Sequence, residues 1–216
     1  MTGLVRKDLL AYYRRSTVAP FIIEIVIGLG LVLFLKNIYS LVTVAVLSMP
    51  MNMSGSPTTL KEIEANSMGE RYALTLPYSW KDFVKGRFLT AFADGLGSAA
   101  TGLILILIHY LTVGTFSLPV YLQFWAGGFL LGCVYLSINT AASFFVGATV
   151  TAVIYIVTAV FTIAGFLAYI LLDIKLDTLV TAEPVFLWMA GIITAAGISL
   201  LCVAVAFTAV KRSRRR

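Results

Sequence analysis

The sequence predicts an all-α, polytopic membrane protein with six transmembrane helices, and two observations lead to this prediction. Of the 216 residues, 60% are hydrophobic and only 12% are charged, about half the charged fraction of a typical soluble domain. No Asp, Glu, Lys or Arg occurs between Gly95 and Leu172. At about 1.5 Å per helical residue, that stretch suffices for roughly three bilayer-spanning helices. Residues 1–216 leave room for a single transmembrane domain.

Five apolar blocks locate the predicted spans. They are Val18–Leu35, Ile38–Met53, Phe88–Val113, Pro119–Leu172 and Val185–Val210. The fourth block greatly exceeds the roughly 20 residues that one span needs. We therefore expect two helices in it, joined by a turn within Asn139–Gly147, and six spans in total.

The basic residues predict the orientation of these spans. They cluster in residues 1–16, in the central loop 58–87 and in the tail 211–216. With six spans all three segments face the cytoplasm and only Lys36 and Lys175 lie outside, as the positive-inside rule expects. Five spans would place one basic terminus outside, so we expect both termini in the cytoplasm.

Local signals predict a helix before the first span and an irregularity near the end of the second span. Residues 1–16 read as a basic helix lying at the membrane interface, with Val5, Leu9, Tyr12 and Tyr13 available to contact lipid. Pro50 should end or kink the second span, because proline cannot donate the helical hydrogen bond.

Two capping signals predict helix starts in the central loop. Thr59 with Glu62 has the spacing of a capping box and predicts a short helix at about Leu60–Ser67. Ser79 with Asp82 has the same spacing. It predicts that the third helix begins at Trp80 in the cytoplasm and continues through the bilayer to about Val113.

The residues needed for catalysis are scarce. The chain has no Walker-type phosphate-binding motif, a single histidine and two cysteines that lie in apolar runs. We therefore expect no catalytic residues, no metal site and no cofactor bound by this chain. The basic ends are better explained by membrane topology and anionic headgroups than by nucleic acid, so we expect no nucleic-acid partner.

A few polar or small residues inside the spans leave alternatives open. Glu24 and Asp94 either line a translocation path or lie near the cytoplasmic boundary within reach of headgroup water. His109 is either a satisfied interfacial residue or a proton switch. Gly128 and Gly132 form a GxxxG pattern that packs either within the chain or in a dimer seam.

The central loop resembles the cytoplasmic loop of bacterial type-2 ABC exporter permeases. The resemblance rests on Glu62, Glu64, Asn66, the run Glu70–Val84 and Arg87. The opening Gly3–Leu9, with its lysine-aspartate-leucine, is similar to the start of that family. Motif-level similarity covers about 30 residues, and the six-span architecture covers the whole chain.

The resemblance implies a half-transporter in a bacterial inner or plasma membrane. Two permeases, identical or paired with a paralogue, would assemble with two separate ABC ATP-binding subunits that hold ATP and Mg. A coupling helix between the second and third spans would dock on the ATPase, with Glu62 and Glu64 facing basic groups of that partner. The implied docking residues are Leu60, Glu62, Ile63, Glu64, Asn66 and Ser67. The implied lever into the third helix comprises Pro77, Ser79, Asp82 and Arg87.

The cargo is inferred from the lack of a conspicuous polar cage in the spans. This favours hydrophobic or amphipathic cargo, and the compact members of the family resemble exporters of peptide toxins and antimicrobial peptides. Drug or lipid export is the alternative within the class. A membrane scaffold that anchors a soluble regulator, and an ATP-independent channel, are the alternatives from other classes.

Overall fold

The computed structural model describes residues 2–15, 18–67, 79–172 and 184–213, and this part of the chain is all-α. Nine α-helices and one π-helical segment follow one another in this region. They are α1 (Thr2–Arg15), α2 (Val18–Leu35), α3 (Ile38–Val42), the π segment (Thr43–Ser48), α4 (Met49–Met53), α5 (Ser56–Ser67), α6 (Trp80–Thr112), α7 (Leu118–Phe145), α8 (Ala148–Leu171) and α9 (Pro184–Ser213).

Five helical stretches are long and apolar enough to cross a membrane. They are Ile38–Asn66, Trp80–Thr112, Leu118–Phe145, Ala148–Leu171 and Trp188–Lys211. The predicted first span is helical as α2, and the part of it whose side chains are described contains the shorter apolar stretch Ile25–Leu35. The all-α class is therefore confirmed for the described residues, with five helices able to span a membrane, and the six-span arrangement stays a prediction.

The break between α7 and α8 falls where the long apolar block was expected to turn. It is formed by Val146 and Gly147, at the end of the predicted range Asn139–Gly147. Gly147 is the N-cap residue of α8 and has extended backbone angles. Its carbonyl accepts the backbone N–H of Thr151 at 3.0 Å.

Pro50 perturbs the second span through the residues that precede it. The N–H of Met49 bonds to the carbonyl of Val44, five residues earlier, at the end of the π segment. A wide π turn removes the need for a donor at Pro50 and relieves the clash between its ring and the preceding turn. The helix then continues through α4, so Pro50 distorts the span without ending it.

The prediction that the short loop helix begins at Leu60 is wrong. Helix α5 begins at Ser56, and the N–H of Thr59 already bonds to the carbonyl of Gly55 at 3.4 Å. Pro57 is suited to the first turn of a helix because no intrahelical partner is needed for its nitrogen there. Only Ser54 and Gly55 separate α5 from α4, so α5 extends the second span.

The core lies where the second span packs between α6 and α7. Backbones approach closely there, since a Cβ on Gly128 would overlap the carbonyl oxygen of Ala45 and one on Gly132 would overlap Met53. The GxxxG pattern of α7 therefore packs within the chain. By contrast, only 11% of the apolar window of α8 is buried, against 56% for the second span, which places α8 at the periphery.

Candidate functional site: a charge cluster where three helices meet

Helices α1, α5 and α6 pack together at the end of α6 that precedes its apolar stretch. Leu4 of α1 is buried against Gly86 of α6. A Cβ on Gly86 would lie 2.6 Å from Leu4 Cδ2, so glycine allows this approach. Farther along, Tyr13 of α1 contacts Asp94 of α6. The two helices therefore run side by side in the same direction.

Four charged side chains of these three helices are buried. Asp8 and Arg87 are each 3% exposed, and Lys61 and Glu64 are each 8% exposed. Asp8 belongs to α1, Lys61 and Glu64 to α5, and Arg87 to α6. We call these four residues the junction cluster; their formal charges cancel. A buried charge is tolerated only when it is paired in this way.

Arg87 connects the three helices. Its guanidinium pairs with the carboxylate of Glu64, and its Nη1 lies 3.7 Å from Oδ2 of Asp8. The guanidinium also lies over the ring of Phe83, 5.8 Å from the ring centroid. On the outer side, Nζ of Lys7 lies 3.7 Å from Oδ1 of Asp8. Charges of alternating sign thus extend from the surface of α1 to α5.

The predicted docking residues divide between the two sides of α5. Leu60 is 2% exposed, and Glu64 is held by Arg87. Glu62 and Asn66 are exposed, and Ile63 is partly exposed. Thus Glu64 pairs within its own chain, whereas Glu62 is open to a partner.

Among the other predicted residues, Ser79 can be compared with the structure, whereas Pro77 and the side chain of Ser67 cannot. Ser79 caps α6: its Oγ accepts the backbone N–H of Asp82 at 3.1 Å and donates to the carboxylate of Asp82. The capping prediction is therefore confirmed. The side chain of Ser67, and Pro77 as a whole, lie outside the described residues.

Asp94 contacts α1 from inside the bundle. It is 9% exposed, and the hydroxyl of Tyr13 donates to its Oδ1 at 3.3 Å. Burial, and then the Asp94 charge, raise the pKa of Tyr13 above its ordinary value, so this hydroxyl stays protonated and can donate. Such a contact agrees with the boundary interpretation, while a translocation role stays a prediction. Glu24 lies on α2, and its side chain is outside the described part of the structure.

His109 ties α6 to the opposite end of the bundle. Its Nε2 lies 3.0 Å from the carbonyl oxygen of Asn37 and 3.0 Å from Ser40 Oγ. A carbonyl can only accept, so Nε2 carries the proton. Nδ1 is then free to accept from the hydroxyl of Tyr121 at 3.0 Å. Both ring nitrogens are used, which agrees with the interpretation of His109 as a satisfied structural residue.

Sequence reasoning missed the junction cluster as a unit. It gave Glu64 and Arg87 separate roles and gave Asp8 and Lys61 none. A usable signal was present, because Arg87 is the last charge before the apolar run of the third span. A cation at that position needs buried carboxylates nearby once the helix packs.

These features define a polytopic membrane protein with a polar junction at one end of its bundle. The model of the family described as ABC-2 family transporter protein matches residues 3–211, and the chain belongs to that family. In this family the membrane domain is a transport subunit that works with an ABC ATPase subunit. Comparison with curated proteins and with solved structures gives no significant match.

Proposed function

We propose that this chain is the transmembrane subunit of an ATP-driven exporter, powered by a separate ATPase that docks on the exposed side of α5. One observation supports the proposal above the others: the pair between Glu64 and Arg87 joins the candidate docking helix to a long membrane-spanning helix. The exposed Glu62 and Asn66 would contact the ATPase. That partner would hold ATP and Mg, and this chain would perform no chemistry of its own.

The junction cluster supplies a route for mechanical coupling. A displacement of α5 by the closing ATPase would reach α6 through Glu64 and Arg87, and α1 through Asp8. Because α6 is a single helix of 33 residues, movement at its start would tilt the segment that crosses the bilayer. The ATPase would thereby shift the population between two packings of the bundle, since it would contact them differently.

Assembly and cargo are further parts of the proposal. Two permease copies, identical or paralogous, would form the path in a bacterial cell membrane, with both termini cytoplasmic. The cargo would be hydrophobic or amphipathic, with peptide toxins or antimicrobial peptides first and drugs or lipids second. Support comes from the largely apolar composition of the spans, which offers little to coordinate an ion or a sugar.

Co-purification from native membranes tests the docking site. We expect Glu62→Lys with Asn66→Lys to reduce recovery of a Walker-motif ATPase at least about tenfold, because two added lysines at the rim and the loss of a carboxylate repel a basic partner surface. Lys36→Glu, a charge reversal on an exposed residue between α2 and α3, serves as the control and should leave recovery unchanged. Reversal of Glu64 is avoided because it would break the buried pair with Arg87.

The outcomes separate the proposals. Full recovery of the ATPase with the α5 double variant would show that docking lies elsewhere. If the folded wild-type chain recovers no ATPase at all, a scaffold that anchors a soluble regulator becomes the better explanation.

A further inference from the structure

The exposed side of α1 carries a cationic and apolar surface that the proposed function does not use. Arg6, Lys7, Leu10, Tyr13 and Arg14 are all exposed, with Leu10 at 49% and Tyr13 at 60%. At about 100° per residue these five positions fall within an arc of roughly 120°. We call them the α1 surface. It contains three cations and no carboxylate.

The opposite side of α1 packs on the protein, so the α1 surface faces outward, although the Tyr13 hydroxyl reaches Asp94. Leu4 packs on Gly86, and Asp8 faces Arg87. Asp8 is the only acidic residue of α1, and it is buried in the junction cluster. Folding therefore removes the single negative charge of the helix from the surface and leaves Arg6, Lys7 and Arg14 exposed. The residues expected from sequence to face lipid differ in part, since Val5, Leu9 and Tyr12 are half-buried.

The position of the α1 surface relative to the membrane boundary is indicated by the neighbouring exposed side of α6. One exposed stripe of α6 changes from Lys81 and Lys85 to the apolar side chains Leu89, Phe92 and Leu96. Such a change marks the boundary between headgroups and acyl chains, because lysine is costly in hydrocarbon. Leu4 and Asp8 contact Gly86 and Arg87, between Lys85 and Leu89. The α1 surface therefore begins at headgroup level with Arg6 and Lys7. Because Tyr13 contacts Asp94 farther along α6, Arg14 lies deeper, and its long side chain can extend back toward the headgroups.

We propose that the α1 surface binds anionic phospholipid headgroups of the adjoining leaflet. Three cations with an exposed leucine and tyrosine match an anionic headgroup layer in charge and in amphipathic character. Lys7 would take part in this binding and also contacts Asp8 of the junction cluster. Lys7 would therefore lie between a bound anionic lipid and that cluster. The inference rests on membrane insertion of this family and does not require the proposed ATPase docking.

Lipid retention by the full-length chain tests the proposal without any ATPase. The chain, purified in mild detergent, is offered phosphatidylglycerol and phosphatidylcholine of equal chain length, and the retained lipids are counted by native mass spectrometry. We expect the triple change Arg6→Gln, Lys7→Gln and Arg14→Gln to reduce the preference for phosphatidylglycerol by roughly 10- to 100-fold, since each cation near a charged leaflet contributes to attraction.

Two matched variants keep the test decisive. Lys36→Gln, Lys81→Gln and Lys211→Gln remove the same net charge from exposed positions elsewhere and should change the preference by less than about threefold. Arg6→Lys with Arg14→Lys preserves charge and should retain the preference, even if the neutral triple variant folds poorly. Undiminished preference in a folded neutral triple variant, or an equal loss in the control triple, would overturn the proposal. Loss of preference in the charge-preserving variant would overturn it as well.

Discussion

Arg87 of α6 makes buried ionic contacts with both α1 and α5. It faces Glu64 and Asp8, which belong to two different helices. A buried ion pair contributes little net stability relative to well-packed apolar residues, whereas removal of one partner leaves an uncompensated charge. The stability of the junction therefore depends on keeping both signs of charge together.

Arg87→Gln is expected to destabilise the protein by about 3–5 kcal/mol, because the carboxylates of Glu64 and Asp8 then lose the buried cation that lies between them. The change is measured as a lowered Tm of the detergent-solubilised chain. Lys85→Gln, two residues earlier on the same helix and exposed, is the control and should shift Tm little. Equal Tm values for the two variants would mean that Arg87 is not structurally required.

Helical phase explains which docking residues could be predicted. The sequence placed Glu62 and Glu64 together against one partner, but residues two apart in a helix lie about 200° apart and do not share a face. The structure accordingly exposes Glu62 and buries Glu64. Helical spacing alone predicts that the two residues lie on different faces of α5. Which of them faces inward depends on the contact with Arg87 of α6, and that long-range contact cannot be read from local spacing.

At the level of helices, close backbone packing makes α7 sensitive to an added side chain at Gly128 and tolerant of one at Gly127. A Cβ on Gly128 would overlap the carbonyl oxygen of Ala45, whereas one on Gly127 would lie 3.9 Å from Trp188, an ordinary contact. Backbone cannot move aside as a flexible side chain can. Packing of α7 on the π segment therefore requires the absence of a side chain at Gly128.

Gly128→Ala is expected to lower stability by about 1–3 kcal/mol through overpacking. Gly127→Ala is its matched control, and this change should be neutral or stabilise by up to about 1 kcal/mol through helix propensity. Thermal melting of both variants in the same detergent measures the difference. A Gly128→Ala protein as stable as the Gly127→Ala protein would show that the helices are farther apart than the structure has them.

The start of α6 is held by a side-chain cap. Ser79 accepts the N–H of Asp82 and satisfies one of the orphan donors of the helix start. Ser79→Ala should cost about 0.5–2 kcal/mol, while Ser79→Asp should retain the cap. Hydrogen exchange of the amides at residues 81–83 should speed up in the alanine variant only. Similar exchange in both variants would contradict a capping role.

Helix ends were predictable from sequence where a local signal determines them. The capping signal at Ser79 gave the start of α6 correctly, because the serine and the backbone N–H of Asp82 that it accepts lie within one turn. The signal at Thr59 failed, because Pro57 and the break at Ser54 and Gly55 begin the helix earlier. The π segment before Pro50 was expected only as an unspecified kink, since proline predicts a distortion without fixing its geometry.

The whole molecule is organised by a difference in burial among its long helices. The second span is 56% buried over its apolar window, whereas the windows of α8 and α9 are each only 11% buried. The central helices therefore hold the fold together, and the peripheral ones present apolar surface to lipid or to a second copy. Length and hydropathy predict which segments can span, but they do not predict which spans lie inside the bundle.

The remaining question at this scale is whether α2 crosses the membrane. The charge pattern predicts that it does, because six spans place the basic residues of α1 and of the segment before α6 on the same side. Gly3, at the start of α1, and Lys36, directly after α2, are both exposed, and α2 lies between them in the sequence. Their sidedness therefore reports directly on α2.

Single cysteines at these positions provide the measurement. In a background with Cys133→Ala and Cys202→Ala, we expect Lys36→Cys to react with a membrane-impermeant maleimide in intact cells. Gly3→Cys and the reference Lys81→Cys should react only after permeabilisation, because basic segments are retained in the cytoplasm. If Gly3→Cys and Lys36→Cys react from the same side, α2 does not cross, and the chain has five spans with its two basic termini on opposite sides.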